Sequence, residues 1–275
     1  MTRSENRTLV GHISEICRYP VKSMQGESPA NVRIGPEGLE ADRRFAVIDT
    51  ETGHVASAKN PRKWRSLLDL RAELHDGVLV ITAQNGKIFR SDHADFEIEL
   101  SRYLCRAVTV RGTPLPSPAI EIHWPDLPGM PNAGSDSVEG LPAGGFFDLA
   151  PIHLLTTATL RQFRELVPGC GFDSRRFRPN LVIETLPGVT GFVENAWVGR
   201  TVVIGDLALS ITAPCSRCVM TTLSHSGLSA DQQVLRAAVT HNSAIVGVYG
   251  STLRGGLVSV GDPVWLVDSD LEGGG

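Results

Sequence analysis

The chain has 275 residues, of which 41% are hydrophobic and 20% charged, with a formal net charge of −4. These values fit a soluble globular protein of one large domain or two intimate ones, and they exclude a broad nucleic-acid footprint. No apolar run reaches membrane-spanning length, so no membrane partner is expected.

The first hundred residues read as mostly β. Val10–Tyr19, Ala30–Ile34, Phe45–Asp49 and Ala72–Leu74 carry strand residues, with turn signals between them such as Gly35-Pro36-Glu37-Gly38 and Thr52-Gly53. Leu79–Ala83 is a further predicted strand, and Asn85-Gly86 after it is a hairpin signal. Asp95–Cys105 spaces Phe96, Leu100, Tyr103 and Leu104 as a short amphipathic helix. Residues 112–145 are crowded with Pro, Gly, Ser and Asp and read as a long loop or interdomain crossing.

Beyond it, Phe147–Thr156 is a predicted strand and Thr157–Val167 a helix with Leu160, Phe163 and Leu166 on one face. Leu181–Glu184 and Thr201–Thr212 read as strands, and Ser229–His241 as a helix capped by Ser229. Leu257–Val260 and Val264–Val267 flank Gly261-Asp262-Pro263, and residues 269–275 read as a frayed tail. Many short strands and few helices predict a mixed α+β fold, mostly β, with a barrel-like core. The expected organisation is a domain over 10–111, the crossing over 112–145 and a second domain over 146–268.

The polar start, Met1-Thr-Arg-Ser-Glu-Asn-Arg-Thr8, lacks the apolar core of a signal peptide, so a reducing cytoplasm is expected. Five cysteines, odd in number and scattered, argue against a disulfide framework. Cys215 and Cys218 stand apart because Ser216 and Arg217 alone separate them. A Cys-x-x-Cys serves as a redox pair, as half of a zinc site, or as two buried small hydrophobes. The redox motif belongs at a strand-to-helix junction inside a βαβ unit, a pattern this pair does not show, and zinc needs two more ligands at similar spacing. The cation Arg217 weighs against inert burial, because a charge beside a thiol costs energy unless something anionic is near.

Other motifs supply cations. Arg178-Pro179-Asn180 presents a guanidinium fork beside an amide, and Pro179 is expected to hold Arg178 extended. Lys22 in Tyr19-Pro-Val-Lys-Ser23 and Arg43 in Asp42-Arg43-Arg44 come from two further loops. Taken alone, each reads more readily as a solvated surface group. Together, Lys22, Arg43, Arg178 and Arg217 point to a local anion site in a net acidic chain.

The order of these motifs resembles the MOSC-domain family. Tyr19-Pro-Val-Lys-Ser23, Gly38-Leu39 with Asp42-Arg43, Arg178-Pro179-Asn180, Trp197-x-Gly199 and Ser216-Arg217-Cys218 carry the resemblance. Gly247-x-Tyr249 and Val260-Gly-Asp-Pro-Val264 complete it. The likeness spans about Val10 to Val267 and is strongest to amidoxime-reducing members. It implies an N-terminal MOSC β-barrel domain followed by a MOSC-type barrel core. It further implies the molybdenum cofactor, a pterin dithiolene with a terminal phosphate, and a family-level association with pyridoxal phosphate.

Residue by residue, the resemblance implies that Cys218 ligates molybdenum and is the catalytic position. Lys22, Ser23, Arg43, Arg178, Asn180, Ser216 and Arg217 match positions around the pterin and phosphate. Asp148, Thr156 and Thr157 fall in the segment that closes over the cofactor, and Tyr249 lies near the metal. The implied activity is two-electron reduction of small N-oxygenated compounds: amidoximes, hydroxylamines and N-oxides. With no ferredoxin domain in the sequence, electrons are expected from a separate haem, flavin or iron–sulfur protein. Two alternatives stay open: a sulfur carrier holding a persulfide on Cys218, and a non-enzymatic cofactor carrier.

Overall fold

Short β-rich runs broken by turn residues give this chain many strands and little helix. A computed structural model describes residues 7–124, 134–142, 144–225 and 227–268. The expected tail at 269–275 lies outside the described residues. The first half contains β1 (Arg7–Ile16), β2 (Asn31–Gly35), β3 (Gly38–Leu39) and β4 (Phe45–Asp49). A single-turn helix α1 (Pro61–Trp64) precedes β5 (Leu70–His75), β6 (Val78–Ala83) and β7 (Ile88–Arg90). Next come α2 (Phe96–Leu104), β8 (Val108–Gly112), β9 (Ala119–His123) and β10 (Asp136–Gly140). The second half contains β11 (Ile152–Thr156), α3 (Thr157–Leu166), β12 (Leu181–Thr185), β13 (Thr201–Ile204) and β14 (Leu207–Ser216). It ends with α4 (Gln233–Asn242), β15 (Ile245–Arg254), β16 (Gly256–Ser259) and β17 (Pro263–Val267).

Seven strands close into a barrel in the order β1, β12, β11, β15, β14, β13, β17. The first strand of the chain therefore completes the barrel of the second half, antiparallel to both β12 and β17. β11 and β12 are parallel and joined through α3, whose buried Leu160 and Phe163 pack on a side core with Phe172 and Phe177. Ile13, Leu154, Ile183, Leu209, Val248 and Leu266 fill the barrel. Each such side chain contributes about 1.5–3 kcal/mol by leaving water, and the five cysteines are all free thiols. A second core lies under the β5–β6–β7 sheet and α2, built on Trp64, Leu67, Ile81, Phe89 and Leu100.

The structure corrects several expected elements. Residues 112–145 are not all loop, because β9 and β10 pair antiparallel there. Residues 201–212 are two strands rather than one, turning at Gly205, whose φ of 55° suits glycine. Ser229 does not cap α4; its carbonyl is bound by Arg176, and Asp231 instead accepts from the Gln233 amide at 2.9 Å. β15 was not expected at all. Its two glycines dilute the strand signal; Gly247 has φ 83°, and a Cβ there would lie 2.3 Å from His153 Nε2.

Candidate functional site

Segments from both halves converge beside β11 and β15, where His153 and Tyr249 alternate with the core residues Ile152, Leu154 and Val248. They enclose a cavity of about 240 Å³ lined by Lys22, Ser23, Arg43, Lys59, Asp148, Arg178, Asn180, Arg217, Cys218 and Tyr249, among others. Five cations face two carboxylates, Glu139 and Asp148, so the cavity is strongly positive although the chain is net acidic.

The first loop follows β1. Tyr19 donates its backbone N–H to Asp42 Oδ1 at 2.7 Å, and its carbonyl accepts from the Arg43 amide at 2.7 Å. Two guanidinium groups lie over the buried Tyr19 ring, Arg178 at 4.2 Å and Arg43 at 4.8 Å from its centroid. Contact with the π system of the ring helps these like charges share one buried corner. Arg43 also donates to Asp42, to Asn180 Oδ1 at 3.3 Å and to the Arg178 carbonyl at 3.3 Å. Arg178 donates to the Met24 carbonyl at 2.6 Å, and burial pushes it down to about 10.

Arg178 is not extended. Its φ is 52°, in the left-handed region, and the bonds at its carbonyl and its guanidinium hold it there against the preference of a residue before proline. Asn180 serves the frame as much as the cavity. Its Oδ1 accepts from the His153 amide at 3.1 Å, and its Nδ2 donates to the Cys17 carbonyl at 3.3 Å.

The second cluster centres on Asp148. Lys22 Nζ donates to Asp148 Oδ1 at 2.6 Å and to the Phe146 carbonyl at 2.9 Å, while Lys59 Nζ lies 3.2 Å from Asp148 Oδ2. Burial lowers Lys22 to about 8 despite its carboxylate partner. Burial also works against the charge on Asp148, but the two ammonium groups prevail and hold it well below the usual carboxylate range. Ser23 Oγ accepts from the Ala58 amide at 3.0 Å, which seats the Lys59 loop on the Lys22 loop.

The two cysteines differ. Cys215, on β14, is fully buried and accepts from Arg217 Nη1 at 2.7 Å. Arg217 Nη2 donates to the Phe177 carbonyl at 2.9 Å, while its buried Nε has no protein partner. Cys218 is half-buried, faces the cavity and caps a 3-10 turn over Val219–Thr222. Its carbonyl accepts from the Thr221 amide at 3.2 Å and from the Thr221 hydroxyl at 3.0 Å. Exposed Ser216 stands beside it. Elsewhere in the lining, burial and the nearby Cys215 keep the Tyr249 hydroxyl protonated, and burial with Arg217 lowers His153 to about 3. Trp124 and Glu139 reach the cavity from the β9–β10 pair.

Two family models match the chain: the MOSC N-terminal beta barrel domain over residues 10–117 and the MOSC domain over residues 143–265. The chain belongs to the MOSC-domain family. It is 24% identical over 289 residues to mitochondrial amidoxime-reducing component 1 of Homo sapiens, covering 94% of this chain and 83% of that protein. It is 24% identical over 299 residues to mitochondrial amidoxime reducing component 2 of Rattus norvegicus, covering 94% and 84%. It is 25% identical over 248 residues to a molybdenum cofactor sulfurase of Anopheles gambiae, covering 75% of this chain and 29% of that protein.

In this MOSC protein, ten of the residues singled out from sequence line the same cavity: Lys22, Ser23, Arg43, Asp148, Arg178, Asn180, Ser216, Arg217, Cys218 and Tyr249. Thr156 and Thr157 do not. Thr156 is fully buried; its hydroxyl donates to Glu194 Oε2 at 2.6 Å and accepts from the Thr159 amide at 3.2 Å, which caps α3. Thr157 Oγ1 accepts from the Thr185 amide at 3.2 Å. Both hydroxyls join α3 to its neighbours. Sequence reasoning missed Lys59, which carries no local signal in Ser57-Ala-Lys-Asn60, and His153, which has no metal-ligand spacing. Among the described residues no helix is long and apolar enough to cross a membrane.

Proposed function

We propose that this MOSC protein is a molybdenum-cofactor-dependent reductase of small N-oxygenated compounds, supplied with electrons by a separate redox protein. One observation carries the reading: the half-buried Cys218 faces a cavity in which Lys22, Arg43, Lys59, Arg178 and Arg217 converge from separate loops. The chemistry of this donor set fits the cofactor. A thiolate suits a soft metal centre, and the cations suit a pterin phosphate. The buried Arg217 Nε, which lacks a protein acceptor, is a further donor available to an anionic ligand.

Cys218 would hold the metal, and Arg43, Arg178 and Lys22 would hold the phosphate, with Ser216 and Asn180 alongside. Once bound, the cofactor supplies the two-electron chemistry that takes the oxygen from an N–O bond. The chain's own task is placement. Tyr19 offers its ring to both guanidinium groups, and Asp148 keeps Lys22 and Lys59 in place. His153 stays neutral, with its Nε2 proton donated to the Val246 carbonyl at 3.1 Å. Ile122, Trp124, Phe147 and Met220 line the cavity with apolar surface.

The test is turnover of benzamidoxime with an artificial reductant. The wild type reduces it to benzamidine, and Cys218→Ala abolishes turnover while folding normally; wild-type turnover in that variant overturns the reading. A second reading, a persulfide carrier, draws on the partial exposure of Cys218 and on the sulfurase relative. A mass gain of one sulfur on Cys218, after incubation with a cysteine desulfurase, supports that reading instead.

A further inference from the structure

Arg176 lies outside the cavity lining, yet it is almost fully buried. Among the described residues no carboxylate lies within salt-bridge distance of it. Its guanidinium binds only backbone carbonyls. Nε donates to Gly171 at 2.8 Å and Nη2 to Ser229 at 2.7 Å, while Nη1 donates to Thr221 and Leu223, each at 3.4 Å.

Three of these four carbonyls belong to the segment that leaves Cys218 and leads to α4. Thr221 closes the link, because its amide and its hydroxyl both bind the Cys218 carbonyl. The next residue, Phe177, gives its carbonyl to Arg217 Nη2. Residues 176 and 177 therefore hold both the turn after Cys218 and the arginine before it.

We infer that Arg176 is a positioning residue that fixes the Cys218 turn at the mouth of the cavity. A bare loop after a ligand cysteine would place the sulfur over a range of positions. Fastening three carbonyls of that loop to one rigid fork removes the range. Arginine suits the task, since its planar fork donates in several fixed directions at once, whereas the ammonium of lysine is a compact point charge on a flexible stem. Burying the cation is costly, and its hydrogen bonds to the loop offset the cost only while the loop stays closed. The inference rests on Cys218 being the functional thiol, but its test needs no cofactor.

The experiment is iodoacetamide labelling of the cofactor-free protein, resolved by peptide mass spectrometry, in wild type, Arg176→Gln and Arg176→Lys. Cys215, fully buried on β14 three residues from Cys218, reports opening of the barrel in the same digest. Arg176→Gln is expected to raise Cys218 labelling about tenfold, as for a locally opened loop, with Cys215 still protected. Arg176→Lys is expected to fall between the two. A Cys218 rate unchanged in Arg176→Gln overturns the inference, as does a parallel rise at Cys215 and Cys218, which marks a role in general stability only. If Arg176→Gln does not fold, the same comparison in Arg176→Lys decides: a rise confined to Cys218 upholds the inference, and a joint rise or none overturns it. Loss of benzamidoxime turnover alone bears on the proposed function and leaves these outcomes separate.

Discussion

Arg217 donates to the buried sulfur of Cys215 at 2.7 Å, while Cys218, three residues on, faces the cavity. The Cys-x-x-Cys is therefore divided, with Cys215 anchoring the arginine and Cys218 left for chemistry. Removing the anchor takes the sulfur acceptor from Nη1, beside the buried Nε that already lacks a partner. Cys215→Ala should destabilise the fold by about 1–3 kcal/mol. Cys215→Ser, which keeps an acceptor, should cost less. Urea unfolding of both variants checks the order.

Asp148 gives a pH-dependent prediction. Its carboxyl titrates below its ordinary range because Lys22 and Lys59 outweigh the effect of burial. A carboxylate depressed in the folded state stabilises the protein above its unfolded value, and this contribution is lost as pH falls through the folded value. Asp148→Asn should therefore be less stable than wild type at pH 7 by about 1–3 kcal/mol, a breaking of a partly buried pair discounted for its exposure. The gap should narrow as the pH drops below about 4, the ordinary aspartate range. Chemical denaturation of the two proteins across pH 3–7 measures it, and a gap independent of pH contradicts the ion-pair account.

Gly247 is required by contact as well as by conformation. With φ 83°, an added Cβ would lie 2.3 Å from His153 Nε2 and 2.4 Å from the Leu154 carbonyl. Gly247→Ala should cost about 3 kcal/mol through combined strain and overpacking. It should also displace Tyr249 and His153 in the cavity lining. Thermal unfolding reads the first effect, and near-ultraviolet circular dichroism the second.

Much of the site was legible in sequence because its residues sit in short motifs at loop corners, where side chain and turn chemistry are written together. Arg217 and Cys218 are of this kind, whereas Arg43 and Arg178 were legible as cations but not in their left-handed backbone. Lys59 was not legible, because only the tertiary approach of its loop to Asp148 gives it a role. β15 was hidden by Gly247 and Gly250, and only Gly247 is demanded by a close approach, that of β11 at His153 and Leu154. The barrel-like β fold was readable from strand density. The closure of that barrel by β1 was not, since a pairing between the first strand and strands more than 160 residues away leaves no local trace.

Thr156 separates framework from cavity. Its hydroxyl serves Glu194 and the α3 cap. Thr156→Val should lower stability by about 1–3 kcal/mol through loss of the cap and the carboxylate's donor. Bound molybdenum per folded chain should stay at the wild-type level. A folded Thr156→Val variant that loses the metal would restore a cofactor role to this residue.

Ligation of a metal by Cys218 is the central claim, and elemental analysis tests it most directly. Protein produced in cells that make the cofactor should carry molybdenum in proportion to the chain, whereas Cys218→Ala, with the same unfolding midpoint, should carry almost none. Equal molybdenum in the two proteins, or none in the wild type, would contradict it.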